Sequence, residues 1–296
     1  MDIAIKPGTY IVAVSGGVDS MVLLDLLARQ KEDLRLIVAH FEHGIRPDSE
    51  ADFKLVQAAA KKYGLPFAAA HGKLGPDASE AAARTARYAF LEQLLAEEKA
   101  DAIITAHHQD DVLETAILNM LRGTGRLGLS SLRSRDHLLR PLLGYSKQGI
   151  LDYAAQHDIV WHEDSTNADE RYLRNYIRHS IVPRLGVQGR AMLLERIEQA
   201  RAINDQIDEL LNKDIDLQPA PDQLGRKWFI QLPYAVSTEV MATWLRRQGI
   251  TQFDRTLIDS LVVQAKTKAS GKMADIDAGH MLKFSKENIH LTTRRN

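Results

Sequence analysis

Residues 1–160 alternate between short apolar runs and longer amphipathic stretches, and this alternation restricts the possible fold more than any other feature. Each apolar run is about five residues long and apolar on both faces, which is typical of a parallel strand covered by helices on both sides. Repeated β-α-β units of this kind form a doubly wound parallel sheet. The predicted strands are Tyr10–Val14, Leu34–His40, Pro66–His71 and Ala102–Ala106. The predicted helices are Val18–Gln30, Ser49–Tyr63, Ser79–Lys99 and Asp110–Arg122.

The pattern changes after residue 164. Residues 169–211 show no strand pattern, and their spaced Leu and Ile residues predict helix. Residues 212–233 are polar and contain several prolines, which is typical of a linker. Two short helices, near 235–248 and 253–265, precede a predicted β-hairpin at Lys272–Ile276 and His280–Leu291. We therefore predict an α/β fold with a catalytic domain over 1–190, a helical linker over 191–212 and a small α+β domain over 213–296.

The strongest local motif is Ser15-Gly16-Gly17-Val18-Asp19-Ser20, which connects the first predicted strand to the first predicted helix. Two glycines let the backbone approach a phosphate, and the turn amides, both serine hydroxyls and the helix N-terminus can donate hydrogen bonds to it. We call residues 15–20 the phosphate loop. The alternative is an ordinary helix N-cap, for which Ser and Asp are well suited.

The phosphate loop is not a Walker loop, because GxxxxGK followed by Ser or Thr occurs nowhere in the chain. It contains no lysine for a γ-phosphate, which fits an enzyme that cleaves ATP between the α and β phosphates. A second motif, Gly123 to Gly128, matches GxGxxG but follows a predicted helix instead of a strand, so we reject a dinucleotide site there.

Acidic residues and histidines follow the fourth predicted strand. Asp111 and Glu114 are three residues apart on a predicted helix and therefore share one face. With His107 beside them, these carboxylates could bind an amine and accept its proton. The alternatives are ordinary acidity in a first helical turn and a metal site, although the HExxH spacing of metalloproteases is absent.

Basic residues are segregated, although the whole chain has a net charge of −1. Segments 121–140 and 171–190 each contain five arginines, and segment 263–296 has seven Lys and Arg against three Asp and Glu. This segregation favours contacts with the phosphates of a nucleic acid over an ordinary solvated surface. Arg84 and Arg87 share one helical face and could hold a phosphate; the alternative is a surface pair between Glu80 and Arg84.

Composition excludes several classes of protein. The chain has no cysteine, so a disulfide framework, a thiolate metal site, an iron–sulfur cluster and a persulfide carrier are impossible. No signal peptide is visible, and no run reaches the roughly 18 apolar residues that span a bilayer. We therefore expect a cytoplasmic protein with no membrane partner.

Several motifs together resemble one family. In order and spacing they are similar to those of the tRNA(Ile)-lysidine synthetases, a family of the PP-loop or N-type ATP pyrophosphatases. The chain resembles the compact members of that family. The resemblance covers residues 9–185. The motifs are the phosphate loop, Ala39–Arg46, Glu80–Tyr88, Thr105–Thr115, Arg122–Gly128, Arg140–Leu143, Glu163–Asn167, Arg174-Asn175 and Arg178.

The resemblance implies a reaction and its substrates. It implies that ATP, with Mg²⁺, adenylates the carbonyl oxygen at carbon 2 of the wobble cytidine of an isoleucine tRNA with a CAU anticodon. The amine of free L-lysine then displaces AMP and gives lysidine. The related tRNA-thiolating enzymes use cysteines, which this chain lacks.

The resemblance and the local patterns together assign candidate site residues. ATP-binding candidates are Ala13, Ser15, Gly16, Gly17, Val18, Asp19, Ser20, His40 and Ala106. Catalytic candidates are Asp19, Arg84, Arg87, His107, Asp111 and Glu114, with Asp111 and Glu114 binding lysine and Asp19 binding Mg²⁺. Candidates for tRNA binding are Arg122, Arg126, Arg171, Arg174, Arg178 and the 213–296 domain.

Two other functions remain open from the sequence. One is a PP-loop ligase that amidates a small molecule, and the other is a non-catalytic module that binds ATP or RNA. The helices around residues 190–211 are a candidate homodimer interface.

Overall fold

The computed structural model describes residues 1–30, 33–42, 49–72, 80–163 and 173–294. The chain forms two compact units, Met1–Ala200 and Arg201–Asn296. The division lies inside one long helix, and the domain boundaries expected at residues 190 and 212 stay predictions. Among the described residues, no helix is both long and apolar enough to cross a lipid bilayer.

A five-stranded parallel sheet forms the centre of the first unit, with strand order β3-β2-β1-β4-β5. The strands are β1 (Gly8–Ala13), β2 (Leu34–Glu42), β3 (Phe67–His71), β4 (Ala102–Ile104) and β5 (Leu138–Leu139). The helices are α1 (Val18–Ala28), α2 (Ser49–Tyr63), α3 (Glu80–Glu97), α4 (Gln109–Leu121), α5 (Lys147–Gln156) and α6 (Leu173–Tyr176). After α6 come a π-helical turn (Ile177–Ile181), a 3-10 turn (Val182–Leu185) and α7 (Gly186–Asp216).

Alternate residues of β1 pack on opposite faces of this sheet, because side chains alternate along a strand. Tyr10 and Val12 join a core that includes most of α1. Ile11 joins a second core with Leu91 of α3. Helices therefore cover both faces, and the predicted doubly wound α/β class is confirmed. Sequence analysis missed β5, which is two residues long, and α5.

The strand order locates the ligand-binding edge. The chain goes from β1 through β2 to β3 on one side and then returns to β4 and β5 on the other side of β1. Open α/β sheets bind ligands at the carboxyl ends of strands where the order reverses in this way. Register pairs Ala13 with Ala39 and Val12 with Ile104, so the ends of these three strands lie side by side.

Helix α1 is buried along nearly all of its length and is fixed to two neighbours by one buried carboxylate. Asp25 accepts hydrogen bonds from the hydroxyls of Tyr63 on α2, at 2.8 Å, and Tyr153 on α5, at 2.7 Å. Because charge-assisted hydrogen bonds are stronger than neutral ones, this network holds α1, and the phosphate loop before it, in place.

The second unit has its own core under an antiparallel sheet with strand order β6-β9-β8-β7. The predicted small α+β domain is confirmed, but the prediction that 212–233 is a linker is wrong. That segment contains the end of α7, β6 and α8, and Leu224 and Phe229 are fully buried. The elements after α7 are β6 (Gln223–Gly225), α8 (Arg226–Gln231), α9 (Tyr234–Arg247), α10 (Arg255–Thr267), β7 (Met273–Asp275), β8 (His280–Phe284) and β9 (Asn288–Thr293).

Candidate active site

The phosphate loop is closed by its own serines. The hydroxyl of Ser20 accepts a hydrogen bond from the amide of Ser15, at 3.1 Å, and donates one to the carbonyl of Gly17, at 2.9 Å. The amide of Val14 donates to the carbonyl of Ala39 on β2, at 2.9 Å, which fixes the entry to the loop. The loop is thus a preformed turn at the carboxyl edge of the sheet, where an anion would meet backbone amides.

Gly16 cannot be replaced without strain. Its φ is +97°, and an added Cβ would lie 3.3 Å from the Oδ1 atom of Asp52 on α2. The carbonyl of Gly16 accepts a hydrogen bond from the amide of His162, at 3.1 Å, and the His162 ring lies 2.8 Å from the same Asp52 oxygen. Asp52 and His162 therefore hold the loop from outside, and no local motif marked either residue.

The N-cap alternative for the phosphate loop is not supported. Gly17 is the N-cap of α1, and no side-chain hydrogen bond caps it within the described residues. The carboxylate of Asp19 instead accepts a hydrogen bond from Nζ of Lys147 on α5, at 2.6 Å. Lys147 was not predicted from the sequence, because it lies far from the loop in the chain and at the start of an unpredicted helix.

Three of the predicted ATP-binding residues lie at adjacent strand ends. Ala13 ends β1, Ala106 follows β4, and His40 lies near the end of β2. His40 is buried, and its Nδ1 atom lies 2.8 Å from the carbonyl oxygen of Val14. Burial lowers the pKa of His40, and the bond to Val14 offsets this only in part. The position is as expected for these three residues, and their contact with ATP stays a prediction.

His108 and Asp111 build a capping box at the start of α4. The backbone amide of His108 donates to Oδ2 of Asp111, at 2.9 Å, and the amide of Asp110 donates to Nδ1 of His108, at 3.2 Å. Because Nδ1 accepts, Nε2 of His108 is assigned the hydrogen. This Nε2 atom lies 3.6 Å from Asp19 and 3.5 Å from Asp111, so His108 connects the phosphate loop to α4.

Two arginines from the α6 region meet the two carboxylates of α4. Arg178 holds Glu114 with two hydrogen bonds, Nε to Oε1 at 2.7 Å and Nη2 to Oε2 at 2.9 Å. Arg174 donates to Glu114 at 3.1 Å and to Asp111 at 3.2 Å. We call Asp111, Glu114, Arg174 and Arg178 the acid–arginine cluster. Glu114 is only 1% exposed, so its charge needs such partners.

The turn after Tyr176 helps to assemble this cluster. Residues Ile177–Ile181 form a π-helical turn, a rare geometry that is frequent at functional sites. Ile177 and Val182 in this region pack on the apolar face of α4 with Leu113. Apolar packing therefore places both arginines over α4. From the sequence, the same arginines were expected to be available for nucleic-acid phosphates.

The pKa values of His107 and Asp111 are both lowered, so that one group is uncharged and the other charged at neutral pH. Burial lowers the pKa of His107 to about 4, against the opposing effect of Asp111, and nearby Arg140 and Arg84 lower it further. Burial raises the pKa of Asp111, but His108, His107 and Arg174 together hold it below its usual range. At neutral pH the site therefore contains an uncharged imidazole beside a carboxylate. The hydroxyl of Thr105 lies 2.9 Å from Nδ1 of His107 and orients its ring.

Arg84 and Arg140 add positive charge near His107. Arg84 stacks over the ring of Tyr88, with 4.7 Å from its Cζ atom to the ring centre, and Arg87 lies 5.8 Å from the same ring. Arg140 follows β5 and is buried. Within the described part of the chain, the buried Nε atom of Arg140 has no hydrogen-bond partner. This unused donor points to an anion or water as its partner.

Arg122, another predicted tRNA contact, lies apart from this edge. Arg122 is the exposed C-cap of α4, about 16 Å along that helix from Asp111. Arg126 follows in the next loop, and Arg171 lies outside the described residues. Among the described residues, no three acidic, histidine or cysteine side chains cluster as a metal site. The carboxylate of Asp19 in the phosphate loop fits a magnesium ion held mostly by phosphate oxygens.

Comparisons with known proteins agree with this fold. The profile of the PP-loop domain family matches residues 4–185. The chain is 43% identical over 180 residues to a tRNA(Ile)-lysidine synthase of Exiguobacterium sibiricum, covering 59% of this chain and 43% of that protein. It is 35% identical over 276 residues to the tRNA(Ile)-lysidine synthase of Lactiplantibacillus plantarum, covering 86% of this chain and 60% of that protein.

The chain thus spans 43–60% of the length of these two curated relatives. Among solved structures, the U34-tRNA thiolase NcsA of Methanococcus maripaludis is similar, with a TM-score of 0.57 and 17% identity over 67% of this chain and 73% of that one. This likeness concerns the fold. Since the matched profile covers more than half of the chain, the protein belongs to the PP-loop domain family.

Proposed function

We propose that this chain catalyses the ATP-dependent ligation of lysine to carbon 2 of the wobble cytidine in an isoleucine tRNA with a CAU anticodon. The observation that carries the proposal is a continuous series of contacts between two sites. Asp19 of the phosphate loop lies 3.6 Å from His108, and His108 lies 3.5 Å from Asp111 of the acid–arginine cluster. A site for ATP phosphates therefore adjoins a pair of carboxylates suited to an amine.

In the first step, the carbonyl oxygen at carbon 2 of cytidine forms a bond to the α-phosphorus of ATP, and pyrophosphate leaves. The amides and serine hydroxyls of the phosphate loop bind the leaving pyrophosphate. Arg84 and Arg140, whose charges act on His107, stabilise the negative charge that develops in this step. Asp19 would hold a Mg²⁺ ion, which would supply further charge neutralisation on the phosphates.

In the second step, the amine of free L-lysine bonds to carbon 2 and AMP leaves. The ammonium group, with an ordinary pKa near 10.4, must first be bound and then deprotonated. Arg174 makes longer single bonds to the carboxylates, at 3.1 and 3.2 Å, than the paired bonds of Arg178, at 2.7 and 2.9 Å. We propose that the ammonium replaces Arg174, which then becomes available to a tRNA phosphate.

His107 is the proposed proton acceptor as the carbon–nitrogen bond forms. Its pKa of about 4 keeps the imidazole unprotonated at neutral pH. The proton of the attacking amine becomes acidic as the bond develops, so an unprotonated group near Asp111 is required.

The roles of the remaining basic residues are part of the same proposal. Arg87, Arg122, Arg126 and Arg171, together with residues 213–296, would contact the tRNA, because phosphate contacts supply most non-specific nucleic-acid affinity. The candidate homodimer at residues 190–211 also stays a prediction.

The test is transfer of radiolabelled lysine to tRNA with ATP and Mg²⁺, using the wild-type protein, Asp111→Asn and a control, Asp152→Asn. Asp152 is exposed on α5 and bonds only to Gln148 among the contacts described. We expect acid-stable label that requires ATP, is lost in Asp111→Asn and is retained in Asp152→Asn. Pyrophosphate exchange without label would favour another acceptor, and neither signal would favour a binding module.

A further inference from the structure

The ion pair between Lys147 and Asp19 joins α5 to the phosphate loop. The Nζ atom of Lys147 lies 2.6 Å from Oδ1 of Asp19, and the two side chains are 36% and 30% exposed. Neither residue is sealed in the core, so a ligand that reaches the phosphate loop can reach both. Lys147 is also a cation beside a loop whose own motif contains none.

The position of Lys147 is fixed by the elements around it. Ser146, the N-cap of α5, accepts a hydrogen bond from the amide of Gly149, at 3.2 Å. Two turns further on, Tyr153 bonds to the buried Asp25 of α1. The amide of Gln109, at the start of α4, donates to the carbonyl of Tyr145, at 2.9 Å. Three elements therefore determine where the backbone of Lys147 lies.

Local stability does not explain a lysine at this position. A cation in the first turn of α5 opposes that helix's dipole, and the nearby N-terminus of α1 also carries partial positive charge. The pair with Asp19 contributes only about 0–1 kcal/mol because it is partly exposed, which is similar in size to the unfavourable dipole effect, so the lysine gains little net stabilisation here. An anion bound at the N-terminus of α1 would make the position of Lys147 favourable, because the anion would interact with both the lysine ammonium and the positive end of the helix dipole.

We infer that Lys147 is a phosphate-binding residue of this site. When the polyphosphate of ATP binds, the ammonium of Lys147 moves from Asp19 to oxygens of the part that leaves as pyrophosphate. This movement releases the carboxylate of Asp19. The inference rests on the proposed function, because it assumes that the phosphate loop binds ATP and cleaves it between the α and β phosphates.

Binding measurements without tRNA test this role directly. Calorimetric titrations would compare ATP, inorganic pyrophosphate and AMP on the wild-type protein, Lys147→Met, Lys147→Arg and a control, Lys54→Met. Lys54 also forms an exposed ion pair, with Glu50 on α2. We expect Lys147→Met to weaken ATP and pyrophosphate binding about tenfold or more, as for the loss of a charge-assisted hydrogen bond. AMP affinity should not change, Lys147→Arg should retain most pyrophosphate affinity, and Lys54→Met should match the wild type.

Equal losses for AMP and pyrophosphate in Lys147→Met, or no loss, would overturn the inference. A second measurement needs no variant: acetylation of the wild-type protein, mapped by mass spectrometry. Pyrophosphate should protect Lys147 and leave Lys54 reactive, and unchanged labelling of Lys147 would contradict the inference. If the wild-type protein binds neither ATP nor pyrophosphate, the proposed function fails. If it transfers lysine to tRNA and Lys147→Met binds pyrophosphate normally, only the role of Lys147 fails.

Discussion

The phosphate loop and the acid–arginine cluster are neighbours built by different means. The loop is made of backbone, two serine hydroxyls and one glycine with a positive φ within six consecutive residues. The cluster joins two carboxylates of α4 to two arginines that lie 60 or more residues further along the chain. Backbone donors suit any phosphate, whereas a buried arrangement of charges can select one amine. We therefore expect the loop to serve the adenylation step and the cluster to serve the transfer of lysine.

The largest expected effect is on the cluster. Glu114→Gln should lower lysine transfer about 100-fold or more, because it removes a buried charge that holds Arg178 and faces the incoming amine. Pyrophosphate exchange into ATP, measured with tRNA and without lysine, should stay within about threefold of the wild type if the two sites serve separate steps. The control is Glu98→Gln, whose carboxylate pairs with Arg35 away from this site. A parallel loss of exchange would contradict the division of roles.

The next effect concerns the loop. Gly16→Ala forces a residue with a Cβ to a φ of +97° and against Asp52. Such strain is on the order of 1–3 kcal/mol, so exchange and lysine transfer should fall together by about 10- to 100-fold. Gly144→Ala is the matched control, because no atom lies within 4 Å of its added Cβ. Loss of transfer with normal exchange in Gly16→Ala would mean that the loop does not serve adenylation.

The smallest expected effect is the contribution of His107 to the pH dependence of the protein's stability. Its pKa is about 4 when folded and near 6.5 when unfolded, so the unfolded chain binds more protons between these values. The stability of the wild-type protein should therefore fall as pH decreases from 6.5 to 4. His107→Gln should show a weaker decrease in urea unfolding over that window, whereas His137→Gln, at an exposed position, should behave as the wild type. An unchanged decrease in His107→Gln would contradict the lowered pKa.

The same contrast explains what the sequence could predict. The phosphate loop lies within one short motif, and the shared face of Asp111 and Glu114 follows from a spacing of three residues, so both were found. Arg174 and Arg178 were recognised as basic but assigned to nucleic acid, because their partners lie on another helix. Asp52, Lys147 and His162 act on the loop from distant elements, and no local pattern marks such contacts.

The parts of the fold that were not predicted are very short elements and segments in which polar residues and prolines surround a short apolar run. Strand β5 is two residues long and pairs only because β4 lies beside it. The polar residues and prolines of 212–233 suggested a linker, although the apolar run Trp228–Ile230 within it was a signal of structure. Phe229 of that run is fully buried in the core of the second unit. The strong periodicity of the first 160 residues made the parallel sheet predictable.

The most direct test of the central claim is to identify the products. Wild-type protein would be incubated with ATP, Mg²⁺, lysine and isoleucine tRNA, and the digested tRNA analysed by mass spectrometry together with the nucleotides released. We predict that one wobble cytidine is converted to a lysine adduct, with one AMP and one pyrophosphate formed per adduct. Formation of ADP and phosphate, or AMP release with no modified nucleoside, would contradict it.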